Sequence, residues 1–209
     1  METIIQDLRY CFRMLLKSPG FTGIAVLCLA LAIGANSTVF TIVNGFLFLP
    51  LPISQPDRVV VVNRGRGEAP PCSYPDYMDY RDRTDVFSGL AAFFPTTMSF
   101  GSGATSQVVL GEVVSGNYFS VLGVDALRGR TFLYEEDRVP GAHPVAVVSY
   151  GLWKRSFGLD PDLVGKTISL NGNTFTIVGV APEGFVGVST PVHADVWIPT
   201  MMQSPVDWL

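Results

Sequence analysis

"FTGIAVLCLALAIGANSTVF", residues 21–40, is the stretch that sets the architecture of this 209-residue chain. It lies inside a longer stretch, between Lys17 and Asp57, that contains no charged side chain. Twenty helical residues, at about 1.5 Å each, span a hydrocarbon core of roughly 30 Å. The stretch therefore predicts a transmembrane helix.

The apolar stretch has two other interpretations, a buried core helix and a cleaved signal peptide with "ALAIGA" as its cleavage site. Apolar character continues to Leu49, beyond that site. The apolar core also exceeds the about 7–15 residues of a usual signal peptide. We therefore expect an uncleaved anchor.

The charges that flank the helix predict its orientation. Arg9, Arg13 and Lys17 precede it, so the positive-inside rule places the N-terminus in the cytoplasm and the chain after about residue 50 outside. Residues 57–209 carry 11 basic and 16 acidic side chains, a net charge of −5. This acidic exterior argues against nucleic acid as a partner. Of the three cysteines only Cys72 would then meet an oxidising compartment, so no disulfide within one chain is expected.

The N-terminal segment and the apolar stretch both predict membrane contacts. Residues 1–18 place apolar side chains at helical spacing, which predicts a cytoplasmic amphipathic helix on the membrane surface. Residues 19–49 form the predicted transmembrane helix with an extracytoplasmic extension, and residues 50–209 the exterior domain. Small residues at intervals of three or four predict that further transmembrane helices pack beside this one. They are Ala30, Gly34, Thr38, Thr41 and Gly45.

The exterior domain shows short strands, short helices and many Gly and Pro turns, which predict an α+β fold with a mixed or antiparallel sheet. "DRVVVVNRG" predicts its first strand, and "SYPDYMDYRDRT" a helix capped by Ser73 and Asp76. Further along, "FSGLAAFFPTTMSFG", "SQVVLGEVVSG" and "HPVAVV" predict strands. "NYFSVLGV" and "YGLWKRSFG" predict short helices.

Gly165-Lys166-Thr167 matches the end of a phosphate-binding loop, which raises the question of nucleotide binding. The glycine that such a loop needs five positions earlier is replaced by Asp160, whose carboxylate would repel phosphate. A helix should follow, but the next residues alternate apolar and polar around Asn171-Gly172, a hairpin signal. We expect Lys166 to be a solvated residue at the start of a β-hairpin.

Candidate catalytic and metal-binding residues are few. His193 and Asp195 lie close in sequence, but this pairing is too common to indicate a metal site, and His143 has no such neighbour. Ser149 precedes a predicted helix and is better explained as its N-cap than as a nucleophile. Glu135-Glu136-Asp137 could bind Ca²⁺, although a solvated loop is the favoured interpretation. The sequence therefore predicts no catalytic residues, no cofactor, no metal and no enzyme activity.

Several stretches together resemble one family, the MacB/FtsX-type ABC transporter permeases, especially the large duplicated ones. They are "LRYCFRMLLKSPGFTGIAVLCLALAIGANSTVF", "SYPDYMDYRDRTDVFSGLAAF", "VVSGNYFSVLGVDALRGRTFLYEED", "PVAVVSYGLWKRSFGLDPDLVGKTISLNGNTFTIVGVAPEGF" and "DVWIP". The resemblance implies an extracytoplasmic core domain with a porter-like part and an inserted β-rich part. It also implies a partner ABC ATPase, a dimer with a second permease half, and a periplasmic adaptor as a further candidate partner.

The resemblance further implies that the chain is a fragment or a truncated product, since relatives continue past the position of Leu209 into three more membrane helices. Such a domain should be incomplete at its C-terminus, with unpaired sheet edges. The leading hypothesis is thus a permease subunit, or part of one, acting in efflux, export or mechanotransmission in the inner membrane. The alternatives are a singly anchored binding or sensing module and, more remotely, an anchored hydrolase using Ser149, His193 and Asp195.

Overall fold

The structure is a computed structural model that describes residues 17–47, 55–62, 72–83, 85–101, 106–189 and 193–203, together with Arg13 and Ile53. The chain divides into two compact units, Met1–Leu49 and Pro50–Leu209. The predicted N-terminal amphipathic helix lies outside the described residues, apart from the helical Arg13 and Lys17.

The first unit contains one long helix, α1, Pro19–Leu47. Its part from Pro19 to Thr41 has a mean hydropathy of 2.0 and is long and apolar enough to cross a membrane. The hydroxyl groups of Thr38 and Thr41 donate to the carbonyl oxygens of Gly34 and Ser37, both at 2.8 Å. Backbone acceptors within the helix thus satisfy these hydroxyl groups, as an apolar surrounding requires.

The second unit is built on a seven-stranded mixed sheet of order β3-β6-β4-β7-β2-β1-β5. The strands are β1 Phe93–Phe100, β2 Gln107–Val114, β3 Arg128–Gly129, β4 Val145–Val148, β5 Thr167–Leu170, β6 Asn173–Val180 and β7 Val196–Pro199. The β4–β6 and β2–β7 pairs are parallel, and the other pairs are antiparallel. This confirms the predicted α+β class with a mixed sheet.

Six of the strands close into a ring, because β5 pairs with β6 along the hairpin and meets β1 where Phe100 faces Leu170. The contact is reinforced by Asn171, whose backbone N–H donates to the Ser99 carbonyl at 2.9 Å and whose side chain accepts from the Ser99 N–H at 2.6 Å. Ring closure pairs strand edges that an open sheet would leave exposed. The β1–β5 contact is a single ladder pair, however, so the edge of β1 before Ser99 has no strand partner on that side among the described strands.

Successive side chains of a strand point to opposite faces of the sheet, so the apolar residues of the strands belong to two separate clusters. In β7, Val196 and Ile198 belong to one cluster and Trp197 to the other, as strand geometry dictates. The first cluster fills the ring and is covered by α4, Tyr150–Phe157, through Leu152 and Trp153. The second packs outside the ring against α3, Tyr118–Leu122.

The remaining helix of the domain is α2, Tyr74–Arg83. Its predicted capping box is present, since the Asp76 N–H donates to Ser73 Oγ and the Ser73 N–H donates to Asp76 Oδ2, both at 3.3 Å. On its inner face Tyr77 is buried, and the Tyr77 hydroxyl donates to the Leu90 carbonyl at 3.2 Å. The bond from Tyr77 attaches α2 to the chain just before β1.

Two local predictions have opposite outcomes. The hairpin is confirmed: Asn171 and Gly172 have φ angles of 47° and 81°, so a tight turn joins β5 to β6 as the Asn-Gly pair predicts. The strand predicted over "DRVVVVNRG" is wrong for its described part, because residues 56–58 form a 3-10 turn and residues 59–62 form no strand. Val60, Val61 and Val62 are exposed and have no ladder partner among the described strands. An apolar run predicts a strand only when a neighbouring strand is available to pair with it.

Candidate functional site

A buried carboxyl group, Glu112, lies in the middle of β2 with no exposed surface. Its Oε2 accepts hydrogen bonds from the Tyr118 hydroxyl and the Trp197 Nε1, both at 2.8 Å. Its Oε1 accepts from the Ser189 N–H at 3.2 Å. Burial, followed by the charge of Glu112, raises the pKa of Tyr118, so the phenol remains a donor. Glu112 therefore joins β2 to α3, β7 and the loop before β7.

A second carboxyl group, Asp137, joins three other segments. Its Oδ2 accepts from the Gly116 N–H at 3.0 Å and the Tyr74 hydroxyl at 3.2 Å, and its Oδ1 accepts from the Met201 N–H at 3.1 Å. Burial raises the pKa of Asp137, although these hydrogen bonds oppose the shift. Burial and the nearby Asp137 also raise the pKa of Tyr74. Asp137 thus anchors α2 and the turn before α3 to the segment after β7.

The solvated loop expected at Glu135-Glu136-Asp137 is wrong for two of its three residues, since Glu136 and Asp137 are only 6% and 8% exposed. Glu136 accepts from both terminal nitrogens of Arg130, at 2.9 and 2.6 Å, and from the Leu133 N–H at 2.8 Å. Burial alone would raise the pKa of Glu136, but these hydrogen bonds outweigh it and lower the pKa. The run of acids therefore serves as a structural anchor. No cluster of metal-ligand residues occurs in the described part of the chain.

A cleft of about 300 Å³ opens beside Asp137, and we call it the α2 cleft. Helix α2 forms one wall, and the turn that carries Tyr134 forms the other. It is lined by Tyr74, Tyr77, Met78, Arg81, Gly116, Asn117, Tyr134, Asp137, Arg138 and Met201. Sequence reasoning missed this site because its walls come from four separate segments of the chain.

Ser149, His193 and Asp195 do line a common cavity of about 250 Å³. The N-cap prediction is confirmed, because Ser149 Oγ accepts from the Leu152 N–H at 3.0 Å. Ser149 Oγ also lies 3.5 Å from Asp195 Oδ1, and the Asp195 carboxylate forms an ion pair with Arg155. A Ser–His–Asp triad needs histidine between the other two, and no hydrogen bond joins His193 to either of them in the structure. The three side chains lie together, but this geometry does not form a triad.

Lys166 forms an ion pair with Asp160, the residue that replaces the phosphate-loop glycine. The hydrogen bond from Lys166 lowers the pKa of Asp160. The Asp160 carbonyl in turn accepts from Trp153 Nε1 at 2.9 Å. Lys166 enters the hairpin with its charge already paired, so the structure offers no phosphate loop at residues 160–167.

The described residues combine a helix that is long and apolar enough to cross a membrane with a separate sheet domain, an arrangement typical of membrane-anchored proteins. The MacB-like periplasmic core domain family matches residues 22–207. The chain belongs to this family, which places it among the extracytoplasmic domains of MacB-like ABC transporter permeases. Permease components of this family are generally not classical enzymes.

Two solved structures are similar to part of this chain. The periplasmic region of MacB from Actinobacillus actinomycetemcomitans is 16% identical, with a TM-score of 0.48 over 60% of this chain and 55% of that one. The extracellular domain of the noncanonic ABC-type transporter YknZ from Gram-positive bacteria is 17% identical, with a TM-score of 0.48 over 60% and 61%. The chain thus spans less than two thirds of either structure. Among curated protein sequences there is no significant match.

Proposed function

We propose that the chain is a permease component, or part of one, of a MacB-like ABC transporter. The observation that carries the proposal is the extent of the family match, which begins at residue 22 inside α1 and continues through the sheet domain to residue 207. The apolar helix and the exterior domain therefore form a single family unit. A partner ATPase in the cytoplasm would supply the energy for conformational change in the exterior domain.

The proposed topology follows the charges beside α1. Residues 1–18 would form a cytoplasmic interfacial helix, residues 19–49 the transmembrane helix with its extension, and residues 50–209 the extracytoplasmic core domain. Arg13 and Lys17 precede α1, and the acidic net charge of −5 lies after it. Four small residues of α1, Ala30, Gly34, Thr38 and Thr41, are exposed and would allow another helix to approach closely. We assign that neighbour to a second permease half.

The exterior domain is suited to transmitting motion as a unit. Six strands form a closed ring, and Glu112 and Asp137 attach the flanking helices α3 and α2 to it through buried hydrogen bonds. Closely packed units of this kind move as rigid bodies. This supports mechanotransmission in efflux or export, with a periplasmic adaptor as a further partner.

The alternative function is a singly anchored binding or sensing module without transport activity. The cavities beside α2 and α4 support this alternative, because each is a space in which a ligand could bind.

The test is whether the full chain works with an ATPase. A tagged chain would be expressed in its native host, purified in mild detergent and assayed for vanadate-sensitive ATP hydrolysis, with partners identified by mass spectrometry. We expect a copurifying protein that carries a complete phosphate loop, and vanadate-sensitive hydrolysis that is absent from a mock purification. Substituting the lysine in the loop of that protein should abolish hydrolysis.

Lys166→Ala is the matched control. Because Lys166 forms an ion pair with Asp160 and belongs to no phosphate loop, this substitution should leave ATP hydrolysis unchanged. If the chain purifies intact in the membrane fraction but without any protein that carries a phosphate loop, the permease proposal fails. The anchored binding module would then be the better explanation.

A further inference from the structure

The α2 cleft has the composition of a binding site. Its volume of about 300 Å³ lies at the lower end of small-ligand pockets. Tyrosine, arginine and methionine are enriched at protein–protein interfaces, and aromatic side chains with a few polar groups typically line small-ligand pockets. The cleft combines three tyrosines, two arginines and two methionines, which are Tyr74, Tyr77, Tyr134, Arg81, Arg138, Met78 and Met201.

Two guanidinium groups share one tyrosine ring at the rim of this cleft. The guanidinium carbon of Arg138 lies 5.6 Å from the Tyr134 ring centroid, and that of Arg81 lies 5.9 Å from it. Arg81 also lies 5.8 Å from the Tyr77 ring. Cation–π contacts orient both arginines and leave their N–H groups free to donate, whereas a carboxylate partner would accept hydrogen bonds from those groups. Tyr134 as a residue is 52% exposed, so part of its surface is available to a ligand.

Arg81 and Arg138 both have N–H groups that could donate hydrogen bonds to a ligand. Arg81 bonds the exposed Asp82 through Nε alone, at 2.9 Å, and Arg138 has no ion pair in the described part of the chain. By contrast, Arg130 uses both terminal nitrogens on Glu136. The side chain of Arg81 is only 21% exposed, so a bond made there would be partly shielded from water.

Asp137, the acid that lines the cleft, repels an anionic ligand less than a free carboxylate would, because three hydrogen-bond donors partly compensate its charge. Asp137 takes hydrogen bonds from Gly116, Tyr74 and Met201 and is only 8% exposed. Asp82 and Glu135 nearby are exposed and therefore screened by solvent. The cationic donors of the cleft belong to Arg81 and Arg138, and the rest of its lining includes tyrosine rings and methionine side chains.

We propose that the α2 cleft binds a carboxylate attached to an apolar or aromatic body. The carboxylate would accept hydrogen bonds from Arg81 and Arg138, and the body would lie against Tyr77, Met78 and Tyr134. Arginine recognises carboxylates through paired N–H groups, and aromatic rings stack on exposed tyrosine. This proposal stands independently of the transport proposal, since the site belongs to the folded domain alone.

The test uses a matched pair of probes, 3-phenylpropionate and 3-phenylpropanamide, which differ only in charge and hydrogen-bonding pattern. The full chain in phosphatidylcholine nanodiscs would be titrated with each at pH 7 and followed by ligand-observed NMR, with empty nanodiscs as the blank. We expect saturable binding of the carboxylate in the low millimolar range. The amide should bind at least about tenfold more weakly, which corresponds to about 1.4 kcal/mol.

Three variants locate the site. Arg138→Gln and Arg81→Gln should each weaken carboxylate binding by about tenfold. Arg128→Gln is the control, because that exposed arginine lies on β3 and outside the cleft, and it should leave binding unchanged. Circular dichroism would confirm that each variant is folded. Equal binding of the two probes, the absence of saturable binding, or unchanged affinity in both folded cleft variants would overturn the proposal.

Discussion

Glu112→Ala is expected to lower the melting temperature of the sheet domain by roughly 6–12 °C. The substitution leaves the buried donors of Tyr118 and Trp197, and the half-buried N–H of Ser189, without an acceptor. A buried donor that loses its partner costs about 1–3 kcal/mol, so the total is about 3 kcal/mol or more. The measurement is a thermal melt of the full chain in detergent, followed by near-ultraviolet circular dichroism and tryptophan fluorescence.

Two further variants separate hydrogen bonding from cavity formation at this position. Glu112→Gln keeps the shape of the side chain but replaces one acceptor oxygen with an NH2 group, which then faces another hydrogen-bond donor. We therefore expect the free energy of unfolding to fall by about 1–3 kcal/mol. Tyr118→Phe removes one donor together with its hydroxyl and should cost about 1 kcal/mol. If all three variants melted within 1–2 °C of the unchanged chain, roughly the effect of half a kcal/mol, the anchoring role of Glu112 would be refuted.

Gly179→Ala is expected to have an effect at least as large, because β3 and β6 approach each other through two glycines. Gly179 pairs with Gly129, and a Cβ at Gly179 would overlap the Arg130 carbonyl oxygen well inside van der Waals contact. The obstacle is backbone, which cannot rotate away as a side chain does. We expect a loss of about 3 kcal/mol or more and a chain that is readily cleaved by protease.

The control for Gly179→Ala is Gly151→Ala in α4. Its nearest contacts would be the Arg155 Nη1 at 3.5 Å and Ser149 Oγ at 3.6 Å, which are ordinary van der Waals distances. Alanine is the better helix former, so stability should stay unchanged or rise by up to about 1 kcal/mol. Equal melting temperatures for the two alanine variants would show that the close approach of β3 and β6 does not exist in solution.

Short-range signals in the sequence were sufficient for much of the fold. The Asn171-Gly172 pair determines a turn by itself, because both positions need positive φ. The caps at Ser73 and Ser149 act within three residues of their partners. The apolar stretch of α1 likewise needs no tertiary context to be recognised.

The errors arose where distant residues decide the outcome. Glu112 was not singled out from the sequence, because two of the three donors that explain its burial, Ser189 and Trp197, lie 77 and 85 positions away. Asp137 is buried because Tyr74 and Met201, both more than 60 positions away, donate to it. Val60 and Val61 have strand-forming side chains but no strand beside them in the described part of the chain. The α2 cleft was missed for the same reason, since its walls come together only in the folded domain.

The measurement that tests the membrane-anchored permease most directly is cysteine accessibility in intact cells. One variant, C11S/C28S, keeps only the exposed Cys72. In a second variant all three native cysteines are replaced, and Ser18→Cys then supplies a single cysteine just before α1. We predict that a membrane-impermeant maleimide labels Cys72 at once and the Ser18→Cys variant only after permeabilisation, on a full-length chain in the membrane fraction. Release of a shortened soluble chain, or labelling of the Ser18→Cys variant without permeabilisation, would contradict the account.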